Sequence, residues 1–370
     1  MGICASSVKP LIKHLARSSD AKQIWYADDS SAAGSLASVA KWWNGLCSHG
    51  PLLGYYPAPQ KCHVLVKNQV TLRKAEQLFR NTGVNITLDG RPFLGGVIGT
   101  TEYTHDLIKS KVASWVSDIE EISKIALSEP HAAYYGFVSS ISRRWQYTLR
   151  TVPNISSLLQ PLENAIETVF IPALVGRSIT PLERRIMSLP TRYGGLGICN
   201  PAEAAELKYE ASKNITAVIQ QAIKNQADDF ENVNQDEMKK EKLKTKQLKK
   251  SKNEEKLNSI VTSTDISPFL IRSLELASEK GASSWLVTAP NQQHGFFLNR
   301  QEFQDAMCLR YGWEIKGVPK VCACGKQNSI DHALTCKRGG YVIMRHNSLR
   351  DTEASLLHMG LAMAFVWSQN

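Results

Sequence analysis

Two groups of residues have the types and spacing to do chemistry. The first is Tyr26-Ala27-Asp28-Asp29, adjacent carboxylates that follow the apolar run Ile24-Trp25. Carboxylates at a hairpin tip can hold divalent cations, and two such ions about 3.5–4 Å apart activate a hydroxyl and stabilise a leaving oxygen in phosphoryl transfer. The small Ala27 lets a nucleic-acid backbone come close. The competing reading is that Asp29 and Ser30 cap the helix that follows. The second group is Cys322-Ala-Cys324, His332 and Cys336, three thiolates and an imidazole within fifteen positions. This donor set suits tetrahedral zinc, and four protein ligands leave no open position, so the zinc would be structural. Gly325 and Gly339-Gly340 permit the tight turns such a site needs. The competing reading is a set of buried thiols beside a helical histidine.

A third feature is cationic. Arg143-Arg144-Trp145-Gln146-Tyr147 interleaves arginines with aromatics, a pattern in which cations meet phosphates while rings pack or stack. It reads equally as a core tryptophan with a solvated arginine face. Lys239, Lys240, Lys242, Lys244, Lys246, Lys249, Lys250 and Lys252 form a run diluted by Glu237, Glu241, Glu254 and Glu255. Non-specific RNA affinity is the most that run implies.

These groups need elements to hold them. Val8, Leu11, Ile12 and Leu15 keep a helical rhythm, 24–27 is strand-like, and Leu36, Val39, Trp43 and Leu46 recur at helix spacing. Cys62 to Val66 reads as a strand, Asn85 to Leu88 as a strand entering an Asp89-Gly90 turn, and Phe93 to Gly99 as its return. From 105 the period changes. Leu107, Ile108, Val112, Trp115, Val116, Ile119, Ile122 and Ile125 form one stripe of a long helix that Pro130 ends. Helices are predicted near 131–150, 157–175, 180–188 and 201–225, then a polar linker or solvated helix over 225–258. The expected fold is an α+β region, then an all-α region, then a small C-terminal region from about 265.

The chain has 370 residues, enough for two or three domains, and 43% are hydrophobic, which excludes wholesale disorder. Lys plus Arg number 44 against 34 Asp plus Glu, and this +10 excess favours an anionic partner. No apolar run approaches the ~20 residues of a membrane span. The start lacks a signal-peptide core, so the expected location is nuclear or cytoplasmic, neither secreted nor membrane-spanning. Cys4, Cys47, Cys62, Cys199 and Cys308 read as reduced, mostly buried thiols. The first six residues fit a myristoylation pattern, read here as an accidental start inside a longer frame.

The order of motifs resembles the reverse transcriptases of non-LTR (LINE-like) retrotransposons, over nearly the whole chain. Tyr26-Ala27-Asp28-Asp29 resembles polymerase motif C, and Gly54-Tyr-Tyr-Pro-Ala-Pro-Gln-Lys61 motif D, with Ala58 where many relatives have asparagine. Phe93-Leu94-Gly95-Gly96 resembles motif E, the primer grip, and Leu189 to Gly197 the segment after the thumb. The Cys-Cys-His-Cys group stands where these elements carry a knuckle, and Arg345-His346-Asn347 with Arg350-Asp351 resembles the opening of a restriction-like endonuclease.

The resemblance implies a partial polymerase palm over 1–104, a thumb-like domain over 105–225, a lysine-rich linker over 226–264, a zinc-knuckle region over 265–345 and the start of an endonuclease-like region over 346–370. It makes Asp28 and Asp29 magnesium ligands, Lys61 the acid for the leaving pyrophosphate, and Cys322, Cys324, His332 and Cys336 zinc ligands. Tyr26, Gly95, Gly96, Arg143 and Arg144 would contact nucleic acid, with an RNA template and a DNA primer or target as partners. Motif A, which supplies a further metal-binding aspartate, has no candidate strand in residues 1–24, and the fingers are missing. The chain therefore reads as a C-terminal fragment, inactive alone as an RNA-directed DNA polymerase. The alternatives are a nucleic-acid-binding module without chemistry, or a relic without function.

Overall fold

The computed structural model describes residues 2–227, 235–339 and 341–367. Met1, which opens the myristoylation match, and Gly340 lie outside the described residues, as does the side chain of Cys4. The chain divides into two compact units, Met1–Arg300 and Gln301–Asn370. The division falls inside the 265–345 stretch read above as one region. Most described residues are helical, and the strands form three two-stranded sheets, an α+β composition.

The first unit opens with helix α1 (Gly2–Ser18), the hairpin β1 (Lys22–Tyr26) and β2 (Asp29–Ala33), and helix α2 (Leu36–His49). Leu11 and Leu15 of α1 and Trp42, Trp43 and Leu46 of α2 are buried together with Phe79. One buried amide aligns these elements. Gln23 Oε1 accepts from the indoles of Trp25 (3.0 Å) and Trp42 (3.2 Å), and its Nε2 donates to Ile12 O (2.8 Å). A side chain that satisfies one buried and two partly buried groups at once fixes strand against both helices, because leaving a buried group unpaired costs about 1–3 kcal/mol. Ser35, not Asp29 or Ser30, caps α2, since Asp29 to Ala33 are consumed by strand pairing.

Strand β3 (His63–Leu65), helix α3 (Gln69–Leu78) and strand β4 (Asn85–Thr87) form a parallel β-α-β crossover. The return strand of β4 is therefore not the one expected. The hairpin pairs β5 (Gly90–Phe93) with β6 (Gly96–Gly99) around Leu94-Gly95. Both turn residues have positive φ, 45° and 77°. A two-residue hairpin loop with that twist matches the strands, and it displaces the turn from Asp89-Gly90.

Helix α4 (Thr101–Ala126) follows, with Ile108, Val112, Trp115, Ile119, Ile122 and Ala126 buried. Its stripe steps from Ile122 to Ala126, leaving Ile125 exposed. Pro130 does not end α4. It opens α5 (Pro130–Ser139), where its missing N–H costs nothing. The helix expected over 131–150 is broken by a 3-10 turn at Ile141–Arg143 before α6 (Gln146–Thr151). Ser139 and Ser142 hydrogen-bond back to Tyr135 O and Val138 O, and Trp145 turns inward against Trp115 and Phe137. Helices α7 (Gln160–Ala165) and α8 (Ile171–Val175) are joined by a π-turn at Ile166–Phe170. Pro172 cannot donate to the carbonyl four residues back, which favours that local widening.

Helix α9 (Pro181–Ser188) carries a capping box of Thr180 and Glu183. Its Arg184 is buried and clamps Glu163 of α7 through two bonds of 2.7 and 2.8 Å, and also donates to Ile198 O at 2.8 Å. Burial pushes the Glu163 carboxyl up, and the guanidinium pulls against that. The glycine-rich segment folds over this pair: a Cβ on Gly195 would lie 2.0 Å from Leu189 O. Tyr134 of α5 donates to Leu196 O at 2.7 Å. Asn200 then caps α10 (Pro201–Asn225).

Helix α11 (Gln235–Val261) makes the described part of the 225–258 stretch from 235 on a solvated helix, with only Ile260 buried among its residues. Helices α12 (Pro268–Ser278) and α13 (Ser284–Val287) complete the unit, and Leu274 of α12 packs on Gly194. Helices α14 (Arg300–Tyr311), α15 (Ile330–Thr335) and α16 (Tyr341–Trp367) provide the helices of the second unit. Of the scattered thiols, Cys308 is buried as expected, but Cys47 and Cys199 are exposed. No helix among the described residues is long and apolar enough to cross a membrane.

Breaking a buried pair strands its partner. Arg184→Met should cost about 3–5 kcal/mol in denaturant unfolding, whereas adding Glu163→Met should restore a large part of the loss. Additive losses in the two single variants and the double would contradict the coupling.

Candidate metal centre

The strongest convergence of reactive side chains lies in the second unit. Residues 320–328 form a short knuckle in which Cys322 N donates to Lys326 O (2.9 Å) and Asn328 N to Lys320 O (2.8 Å). Gly325, at φ 84°, closes the turn by donating to Cys322 O at 2.8 Å. Ser329 caps α15 by accepting from His332 N at 3.0 Å, which sets His332 in the first turn. Cys336 ends the helix, with its N–H on His332 O at 2.8 Å. Knuckle and helix thus each present two donors.

Those donors meet. The ligand atoms of Cys322, Cys324, His332 and Cys336 all lie within 4.8 Å of one another. Cys322 Sγ and Cys336 Sγ are 3.7 Å apart, and Cys324 Sγ lies 3.2 Å from His332 Nε2. Sulfurs about 2.3 Å from a tetrahedral ion stand about 3.8 Å apart, so the group has the dimensions to hold a metal ion. The Cys324 N–H pulls the Cys322 thiol down, but desolvation and the neighbouring thiols outweigh it and leave it raised. Bringing three thiolates together is costly unless a cation compensates them.

Packing does not supply the missing stabilisation. Among the described residues from 314 to 338, only Cys336 is buried. Asn328 donates to Pro319 O at 2.9 Å while its Oδ1 is buried without a partner among the described residues. Of the thiols in the alternative reading beside a helical histidine, Cys336 is buried and Cys322 and Cys324 are only partly covered.

The aspartates sit differently. Ala27 and Asp28 form the tip of the β1–β2 hairpin, with Ala27 at φ 54°, and Asp29 begins β2 opposite Tyr26. Tyr26, Asp28 and Asp29 are exposed. The Cys-His set is the only group of three or more metal-ligating side chains found among the described residues. Two exposed carboxylates without a third ligand among the described residues do not fit a magnesium ion. Lys61 is exposed on a 3-10 turn, Pro59–Lys61.

Tyr55, which sequence reasoning passed over inside the Gly54 to Lys61 segment, ties that segment to the hairpin. Its hydroxyl donates to Asp28 O (3.0 Å), meets Ser30 Oγ (2.9 Å), and its ring lies edge-on to Trp25. Gly95, at φ 77°, approaches α6 so closely that a Cβ would lie 3.2 Å from the Tyr147 ring. Tyr147 OH donates to Leu94 O at 2.6 Å, and Lys111 Nζ to Gly95 O at 3.2 Å. Gly96 faces Thr151. This turn is thus docked onto the helical region. Arg143 and Arg144 lie at the 3-10 turn and not on a continuous helix, and Arg144 pairs with Asp118 at 2.5 Å. Trp145 is core.

No protein-family description, characterised protein or solved structure matches this chain.

The Tyr55 contacts give a pH signature. Burial first raises the phenol above its ordinary value, the Ser30 bond lowers it, and the charges of Cys62, Asp29 and Asp28 raise it further. A raised folded value means the native state holds its proton longer, so the linked stability is complete below about pH 10 and falls as pH climbs through the folded value. Urea midpoints measured from neutral to alkaline pH should therefore fall more steeply for the wild type than for Tyr55→Phe. Parallel profiles would contradict the assignment.

Proposed function

We propose that this chain is a segment of a non-LTR retrotransposon reverse transcriptase that binds nucleic acid through its helical region and carries a structural zinc centre. The observation that carries the reading is the convergence of Cys322, Cys324, His332 and Cys336, at the place in the motif order where the resemblance puts a knuckle. Zinc is the metal that three sulfurs and one nitrogen in a compact set favour. With four protein ligands it would organise the fold and would not activate water.

Further support comes from the first unit. The Tyr26-Ala27-Asp28-Asp29 hairpin holds its carboxylates in the open at a turn, and the motif D-like segment is fastened to it through Tyr55. The motif E-like turn rests against α6. In this reading the first part of the chain is palm-like, 105–225 is thumb-like, and an RNA template with a DNA primer or target are the partners.

A second reading, a nucleic-acid-binding module without chemistry, is favoured by the lack of a third ligand beside Asp28 and Asp29 among the described residues. It decides the expected behaviour of the isolated chain. Purified protein should give no primer extension on an RNA template with magnesium or manganese. Extension that disappears in Asp28→Ala would overturn this and restore the enzyme.

The zinc claim has its own test. The full chain should hold about one zinc ion in its four-ligand site, and Cys324→Ser should lose most of that affinity and loosen the knuckle, because metal binding and local folding are coupled. Folded protein without zinc, or full zinc content in Cys324→Ser, would contradict it.

A further inference from the structure

The first unit carries a cationic cluster that the motifs did not single out. Helix α10 touches both α6 and α11. Lys208 of α10 is partly buried and donates to Gln146 Oε1 of α6 at 2.7 Å. That partner is neutral. Arg150, at the end of α6, and Lys249 of α11 lie close enough for their charges to act on Lys208. None of the three forms an ion pair among the described residues.

Helix α11 is held in register beside this point. Lys256 pairs with Glu203 of α10 at 2.7 Å, and Ser259 accepts from Arg185 of α9 at 2.6 Å. Lys249 lies about two turns before Lys256, and Lys208 about one and a half turns after Glu203. Both lysines therefore lie on the stretch of the paired helices beyond that ion pair, with the Lys249 charge within reach of Lys208. Lys242 and Lys246 precede Lys249 by seven and three residues, which puts them on the same face of α11. Burial pushes the Lys208 ammonium below its ordinary range, the Cys199 thiol pulls it back, and Lys249 and Arg150 push it down again. Lys208 is partly buried, Lys249 and Arg150 are exposed at its edge, and the three like charges repel one another. Such an arrangement is stabilised by an anion that bridges them.

We propose that Lys208, Lys249 and Arg150 form a phosphate-binding site that takes the backbone of a nucleic acid, with Lys242 and Lys246 extending its track along α11. The site rests on the nucleic-acid reading above but assigns the contact to the seam of α6, α10 and α11 and not to Arg143 and Arg144. Phosphate is the right chemistry because its oxygens accept from lysine and arginine together, and a phosphodiester chain repeats that group along a helix.

The test uses the full chain and a labelled single-stranded RNA of about 20 nucleotides, longer than one ordinary site. The triple variant Lys208→Met, Lys249→Gln, Arg150→Gln should bind about tenfold or more weakly at moderate salt. Its slope of log affinity against log salt should be shallower by about 0.7 for each phosphate that the variant no longer neutralises. Lys240→Gln with Lys244→Gln, on the opposite face of α11, should change binding far less. A thermal melt separates phosphate binding from folding: Lys208→Met should melt no lower than wild type without ligand, since it removes a repelled charge. Inorganic phosphate should raise the wild-type melting temperature and leave the triple variant unmoved. RNA binding that outlasts a large excess of inorganic phosphate identifies the polymer as the ligand. If RNA binds the triple variant as tightly as wild type, the site is overturned while nucleic-acid binding stands. If binding follows Lys240 and Lys244, or Arg143 and Arg144, the site is likewise overturned. If wild type binds no RNA and phosphate does not raise its melting temperature, both readings fall.

Discussion

The first unit depends on one buried ion pair. Arg184 and Glu163 are both almost fully enclosed, and the guanidinium uses a further N–H on Ile198 O. Desolvating two charges is expensive, so such a pair persists only where its geometry is complete. Here the geometry connects α7, α9 and the glycine-rich segment. That segment leads directly into Asn200 and the cap of α10. Helix α10 then runs to the far side of the unit, where its terminal Gln226, at φ 52°, exchanges two amide bonds with Gln23 of β1 at 2.8 and 3.1 Å. These two bonds cover an outer edge of the hairpin that would otherwise invite pairing with another chain. A single buried charge pair is thus linked, through one helix, to the hairpin that displays Asp28 and Asp29.

The second unit has a different source of order around its cysteines. Its knuckle has turns, a capped short helix and four converging ligand atoms, but almost no buried apolar side chains between 314 and 338 among the described residues. A segment this small rarely buries enough surface to offset its conformational entropy. Coordination of a metal can supply that difference, because the bound ion exists only in the folded arrangement. The two units therefore solve the same problem with opposite means, one by enclosing charges in a core and one by gathering ligands at a surface.

What could be read in the sequence follows a physical line. The helical stripe of α4, the helix over Leu36 to Leu46 and the boundaries of α10 were legible because they rest on periodicity and caps within a few residues. The four residues that could hold a metal ion were legible because their types are unusual together. Leu94-Gly95 was not, since nothing local marks a leucine for positive φ, and Asp89-Gly90 offered a stronger signal. The break at Ile141–Arg143 was not legible either, because Trp145 is drawn inward by Trp115 and Phe137 from elsewhere in the chain. Gln23 with Gln226, and Lys208 with Lys249, are pairs distant in sequence whose members look like ordinary polar residues. Their meaning comes only from the tertiary fold.

The central claim is that a metal ion with three sulfur ligands and one nitrogen ligand orders the second unit. X-ray absorption at the zinc edge on the purified full chain tests it most directly. Three sulfurs at about 2.3 Å and one nitrogen at about 2.0–2.1 Å from the ion are expected. Coordination by oxygen and nitrogen atoms alone, or a folded protein without zinc in its spectrum, would contradict it.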